Sequence, residues 1–251
     1  MSIRIFWQLC LFLSLTAGAT STFAQSVTRL RDLPDAEGTD RPSDLEIKAA
    51  KEEIARRFPL QTLRLNKAQR RAVLNRYAHL DPEGRVPSDL LEEAVVYFDR
   101  NKSGFDNQDY ISVVDFAPRS NHARLFVIDM NSGRVHEFHT THGQGSDVDN
   151  DGYAESFGNV PGSYKSSLGF YRVAEVYYGK YGRSIRLDGL SATNSKVRAR
   201  AIVVHGSDYV HESNVVQGRS NGCFALAWSV KDDIVDLIHG GSLLYAHVSG
   251  G

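Results

Sequence analysis

A mainly β fold, a β-sandwich or open barrel preceded by a small helical unit, is what this sequence predicts, and three observations carry it. Apolar residues recur at helical spacing up to about residue 104, and after Phe105 the spacing switches to period two. The region after the switch holds many short apolar segments separated by glycine-rich loops, drawing on 21 glycines in all. Only one helical pattern returns, close to the C-terminus. At 251 residues the chain has room for one large domain or a domain with an appendage, and ample apolar content for a core. Its 29 basic residues are balanced by 30 acidic ones. That balance provides no cationic excess for phosphate contacts and argues against nucleic acid as a partner.

The first 24 residues have the three parts of a secretory signal. Arg4 is a short positive region, Ile5 to Leu15 is apolar apart from Gln8 and Ser14, and Thr22-Phe23-Ala24 ends in small residues. The apolar run is too short to span a bilayer, which needs about 20 residues. The predicted state is therefore an exported chain beginning at Gln25, with no membrane span after cleavage. Residues 25–42 are polar, contain prolines and lack periodicity, as a linker does.

Residues 43–104 form the predicted helical unit. Ser43 precedes Glu46 by three, a capping box, and Leu45, Ala49, Ile54 and Phe58 share one face until Pro59 stops the helix. A second helix is expected from Asn66 to His79 with Ala72, Val73 and Tyr77 buried. A third starts near Pro87-Ser88, carries Leu90, Leu91, Ala94, Val95 and Phe98 inward, and ends at Asn101 to Gly104.

Residues 105–251 are the β-rich region. Strands are expected at Tyr110 to Phe116, and at Arg124 to Met130 turning through Asn131-Ser132-Gly133 into Arg134 to Thr140. Others fall at Tyr171 to Tyr178, Ser184 to Leu187, Ala201 to His205 and Leu243 to His247. A helix over Val230 to His239 is predicted to be capped by Ser229 and to end at Gly240-Gly241.

Signal cleavage removes Cys10 and leaves Cys223 as the sole cysteine, so no disulfide within the mature chain is possible. An unpaired thiol in an oxidising compartment is either buried and inert or a nucleophile. Its neighbours are those that a Cys/His nucleophile pair needs, and the buried inert cysteine stays open beside that reading. The apolar segment Ala201 to Val204 delivers His205 and Gly206, and a polar loop leads to Gly218-Arg219-Ser220-Asn221-Gly222-Cys223. An imidazole at a strand end beside a thiol can take its proton, and the thiolate is the reactive form. Gly222 admits a substrate backbone, and the N–H groups of Gly222 and Cys223 are candidates for an oxyanion hole.

His205, fourteen residues, then Ser220-Asn221-Gly222-Cys223 resembles the signature of the YkuD-type L,D-transpeptidases, in particular the murein L,D-transpeptidase catalytic domain family. The resemblance runs from Asp115-Phe116 and Arg124 to Asp129 through Thr141-His142-Gly143 and Phe157 to Asn159. It continues through Tyr178 to Ser184 and Gly189-Leu190 to Arg200–Gly206 and Gly218–Ala225. Asn221 stands where the family's better-studied members have histidine, and no arginine follows soon after Cys223. The resemblance implies a cysteine acyltransferase of the cell envelope acting on peptidoglycan stem peptides, with no cofactor and no metal. Cys223 would be the nucleophile and His205 the base. Gly222 and Ser220 would shape the oxyanion site, and Arg219, Arg183 and Gly206 would line the substrate site. The implied alternatives are an L,D-carboxypeptidase or amidase of peptidoglycan, or a wall-binding module without turnover.

Two rival constellations carry less weight. His136 and His142 face one way along their strand and His139 the other, so they do not converge on a metal. Asp147 to Gly152 imitates the start of an EF-hand loop, but Gly158 occupies the twelfth position, where a bidentate glutamate belongs. His211, in the polar loop, is a substitute candidate for the base.

Overall fold

The structure, a computed structural model, describes residues 40–58 and 65–250. The predicted signal, most of the linker and Pro59 lie outside these residues. Three helices lead the chain: α1 (Asp44–Arg57), α2 (Lys67–Arg76) and α3 (Ser88–Arg100). Ser43 and Asn66 begin the first two with reciprocal capping boxes to Glu46 and Gln69, satisfying backbone donors that the first helical turn leaves open. Among the described residues no helix is long and apolar enough to cross a membrane.

Eight strands follow: β1 (Tyr110–Asp115), β2 (Leu125–Asp129), β3 (Val135–Phe138), β4 (Gly169–Gly179), β5 (Gly182–Gly189), β6 (Val203–Ser207), β7 (Phe224–Ala227) and β8 (Ser242–His247). A fourth helix, α4 (Trp228–Ile238), joins the last two. They form one sheet in the order β3-β2-β1-β8-β4-β5-β6-β7. The β1–β8 and β6–β7 pairs are parallel, and the remainder are antiparallel.

The central strands are buried on both faces, and their alternation sorts the core into two layers. Leu125, Val127, Leu244 and Ala246 face a core shared with Ile234, Val235 and Ile238 of α4. The intervening Phe126, Ile128, Leu243 and Tyr245 face Val73, Leu90, Ala94, Val95 and Phe98 of the helical unit. The helical unit thus covers one face of the sheet, and the period-two reading of the sequence is the reason it can.

The structure corrects several sequence expectations. In α1 no residue is buried, and Leu45 is 77% exposed. Ile47, Ile54 and Phe58 border an open groove opposite residues 188–192, and the stripe reaches the core only at the end of the helix, where Phe58 is buried against Phe105 with ring centroids 4.9 Å apart and Ile54 packs partly beside it. In α2 only Val73 is buried; Ala72 is exposed and Tyr77 half-buried. Ser229 does not cap α4, which starts directly from β7 with Ala227 at the cap position and no side-chain cap bond. Finally, β7 is a strand that the sequence does not mark, because Phe224-Ala225-Leu226-Ala227 is only four apolar residues, shows no alternation and runs without a turn into α4.

The two outer strands of the sheet, β3 and β7, are brought together by the chain that leaves β3, so the sheet is a nearly closed barrel. Thr140 Oγ1 donates to Ala225 O at 3.0 Å, and Thr141 Oγ1 donates to Cys223 O at 3.1 Å. The Ala225 N–H returns a bond to Thr141 Oγ1 at 3.2 Å, and Gly143 bridges Ser220. The unpaired edge that β7 would otherwise present is thereby covered. Thr141→Val keeps the shape but strips a buried N–H of its acceptor. It is expected to lower stability by about 2 kcal/mol, read as a shift in urea midpoint at unchanged slope.

Candidate active site

Strand pairing alone puts a cysteine and a histidine side by side. β6 and β7 run parallel with His205 opposite Ala225, and Cys223 stands two residues before Ala225. Side chains on a strand alternate, so His205, Ala225 and Cys223 point to the same face. Both side chains are buried, Cys223 at 7% and His205 at 2% exposure. They line one cleft of about 100 Å³ together with Arg219, Ser220 and Asn221. Asp40, Tyr177, Tyr181 and Tyr209 complete its rim, and of these none was a sequence candidate.

The histidine's tautomer follows from its partners. His205 Nδ1 lies 2.9 Å from Gly206 O, and a carbonyl only accepts, so Nδ1 carries the proton and Nε2 the lone pair of the neutral ring. The ring is stacked on Tyr181, with centroids 4.2 Å apart, at the tip of the β4–β5 hairpin. Gly206 is held to a glycine by Trp228, whose ring would meet a Cβ there at 2.4 Å. On the other side, Cys223 Sγ is 3.8 Å from Ala201 O. Ala201 has φ of +53°, a conformation that turns its carbonyl toward the thiol at a cost of about 1 kcal/mol.

The turn before the thiol is tied from below. Gly222 has φ of +112°, and a Cβ there would come within 2.8 Å of Lys165 O. Its N–H donates to Ser220 Oγ at 3.1 Å, while the Ser220 hydroxyl donates to Cys223 O at 2.8 Å. The Gly222 N–H therefore stabilises the turn rather than facing the cleft. Asn221 accepts from Gln144 Nε2 at 2.8 Å. Beneath this turn the fully buried Arg200 donates to Gly158 O, Ser167 Oγ and Lys165 O.

Arg219 lines the cleft and donates to Asp147 O. Arg183 does not line it; it pairs with Asp236 at 2.5 Å and Asp232 at 3.7 Å on α4. His211 is exposed, and His139 is engaged by Glu212 and Asn121 O. The Asp147, Asp149 and Asp151 carboxylates come within 4.8 Å of one another. Asp147 is committed elsewhere: its oxygens accept from the Asp151 and Gly152 N–H groups and from His142 Nε2.

Between His205 and Cys223 the chain makes a loop whose base is pinned. The Gly218 N–H donates to Tyr209 O at 2.8 Å, and buried Gln217 spans the interior to Val215 O and the His211 N–H. Residues 211–216 are exposed.

Residues 83–247 match the family model described as the L,D-transpeptidase catalytic domain, and the chain belongs to that family. No curated protein matches the sequence. Among solved structures, an L,D-transpeptidase from Mycobacterium smegmatis is similar at 11% identity and a TM-score of 0.36, over 56% of this chain and 59% of that one. An L,D-transpeptidase from Stackebrandtia nassauensis is similar at 12% identity and a TM-score of 0.35, over 86% and 97%.

The buried chain behind Arg219 sets a pH dependence. Arg124 Nη2 donates to His142 Nδ1 at 2.8 Å, so His142 Nε2 is protonated and donates to Asp147 Oδ2 at 3.0 Å. Burial first, and the Arg124 charge next, press the His142 pKa down to about 4, against the pull of Asp147. An unfolded histidine titrates near 6.5, so unfolding takes up a proton between these values. Stability is expected to be full above pH of about 6.5 and to fall, on the order of 3 kcal/mol, as pH drops to about 4. Urea midpoints across this range check it. In His142→Gln, whose amide can accept from Arg124 and donate to Asp147, the slope should flatten.

Proposed function

We propose that this member of the L,D-transpeptidase catalytic domain family is an exported cysteine peptidoglycan L,D-transpeptidase. The observation that carries the reading is the convergence of Cys223 and His205 on one cleft, from adjacent parallel strands, inside the matched family region. His205 Nε2 takes the thiol proton, and Sγ attacks the carbonyl that joins the L-centre of diaminopimelate to D-Ala. The protonated imidazole hands that proton to the departing amine, D-Ala leaves, and a thioester remains on Cys223. An acceptor amine of a second stem then attacks the thioester carbonyl, losing its proton to His205. The thiolate leaves and is reprotonated, and a 3→3 cross-link results. The energy of the cleaved amide is retained in the thioester, so neither ATP nor a metal is drawn upon.

The surrounding residues take supporting roles in this reading. Ser220 and Gly222 hold the nucleophile's turn, and Gly206 fixes the imidazole through its carbonyl. Arg219, at the cleft wall, is the arginine we assign to a stem carboxylate, since a guanidinium suits it bidentately. Arg183, occupied by Asp236 and Asp232, is left a supporting role at the hairpin.

Disaccharide tetrapeptides incubated with the mature protein should yield cross-linked dimers, tripeptide stems and free D-Ala by mass spectrometry. Cys223→Ala should abolish all three products, and His205→Ala should slow them about 10²–10⁴-fold while leaving the fold intact. Tripeptide and D-Ala without dimers, at every stem concentration, would instead make the protein an L,D-carboxypeptidase. No product at all from folded wild-type protein would leave a wall-binding module.

A further inference from the structure

One rim residue of the cleft comes from far outside the β region. Asp40 is buried, and both of its carboxylate oxygens accept from the Lys180 N–H, at 3.1 and 3.0 Å. Its carbonyl accepts from Arg186 Nη1 at 2.9 Å. The seat exists because residue 179 lacks a side chain: a Cβ on Gly179 would stand 2.4 Å from Asp40 Oδ1. The guanidinium of Arg186 lies 4.2 Å from the centre of the Tyr177 ring, and Tyr177 lines the same cleft as Cys223. Burial, then the Asp40 carboxylate, hold the Tyr177 hydroxyl up at about 12, with a further push from Cys223. One hydroxyl thus feels both the carboxylate and the nucleophile.

The segment carrying Asp40 is lightly attached. It leads through Pro42 into α1, which buries no residue. The contacts of α1 with the sheet side include the ion pairs of Arg57 with Asp106 at 2.7 Å and of Glu53 with Arg172 at 3.7 Å. Partly exposed ion pairs contribute little, and the apolar anchor of α1 is at its far end, where Phe58 packs on Phe105; the start of the helix, with residues 43–46 exposed, is the part that opens locally at low cost.

We propose that the Gly179-Lys180 turn is a carboxylate-binding subsite of the catalytic cleft, filled at rest by Asp40 as a strap from within the chain, and vacated to a carboxylate-bearing peptide. The backbone N–H gives a charge-assisted bond to any carboxylate that reaches it, and the glycine leaves room for the headgroup. That the entering peptide is a peptidoglycan stem rests on the proposed function; the strap and its seat do not.

The test reads access to Cys223 by its alkylation rate with iodoacetamide in the intact protein, with folding followed by circular dichroism. Removing a nearby negative charge also favours a thiolate, so two variants are needed. Asp40→Ala deletes the strap's carboxylate, whereas Gly179→Ala evicts it and leaves its charge in the chain. Both should speed alkylation about five- to tenfold, the factor that one lost hydrogen bond of ordinary net strength is worth. Acetate, against equal ionic strength of chloride, should slow alkylation again in Asp40→Ala and leave Gly179→Ala unaffected, its seat being filled by the new methyl. Acceleration in Asp40→Ala alone, or in neither variant, overturns the strap. An acetate-insensitive Asp40→Ala protein overturns the subsite, and that arm decides even if Gly179→Ala fails to fold. Faster alkylation without stem turnover in any variant upholds the strap and removes the peptidoglycan reading.

Discussion

The site depends on one pairing, the parallel register of β6 on β7. A parallel pair cannot be closed by a tight turn; it needs a long crossover. That requirement separates His205 from Cys223 by a loop in sequence while their strands keep them adjacent in space. The same register sends both side chains to one face, so neither has to be positioned by a flexible segment. Parallel pairs are slightly weaker than antiparallel ones, and β7 lies at the end of the sheet order. Thr140 and Thr141 compensate by supplying side-chain and backbone bonds where a further strand would stand. The closure of the barrel and the fixing of Cys223 are thus the same set of contacts.

Two fully buried arginines organise the long irregular connection from β3 to β4. Arg124 donates to Thr140 O, Pro118 O and His142, and Arg200 to Gly158 O, Lys165 O and Ser167. An ionised group away from water is tolerated only when its donors are satisfied, and the carbonyls of a loop need donors equally. Each guanidinium, with its five N–H groups in a fixed fork, serves several strand-less segments at once. Irregular backbone beside the turn that carries Cys223 is in this way made as well determined as a strand. The cost is that removing either arginine would strand two backbone carbonyls and a side-chain acceptor together.

How much of this was legible in the sequence depends on what kind of signal each feature leaves. The short continuous apolar runs of Leu125 to Ile128 and of Leu243 to Ala246, bounded by polar residues and turns, mark strands with two buried faces, and the switch of period near Phe105 locates the change from helix to sheet. His205 and Cys223 stood out by residue type, by neighbouring glycines and by resemblance to a family. α1 departs from its apolar stripe, sound as a helical pattern, because most of that stripe borders a groove and only Phe58 at its end is buried in the core. β7 left no alternation to detect, and the start of α4 is set by its strand and by Trp228 on Gly206. The places of Asp40 and Tyr181 at the cleft were illegible for a different reason, although Tyr181 falls within the Tyr178 to Ser184 stretch of the resemblance. Their importance lies in contacts across 140 residues or through a ring stack, and neither has a local sequence signature.

The pinned loop between His205 and Cys223 has an evolutionary consequence. Its base is closed by the bond from Gly218 to Tyr209, and everything from residue 211 to 216 is in solvent. Lengthening a loop whose ends are already fixed is thermodynamically mild, about 0.6 kcal/mol for each doubling. Insertions and exchanges there alter what borders the cleft mouth without shifting the register that aligns thiol and imidazole. The same tip is the natural graft point for an engineer wishing to retarget the cleft.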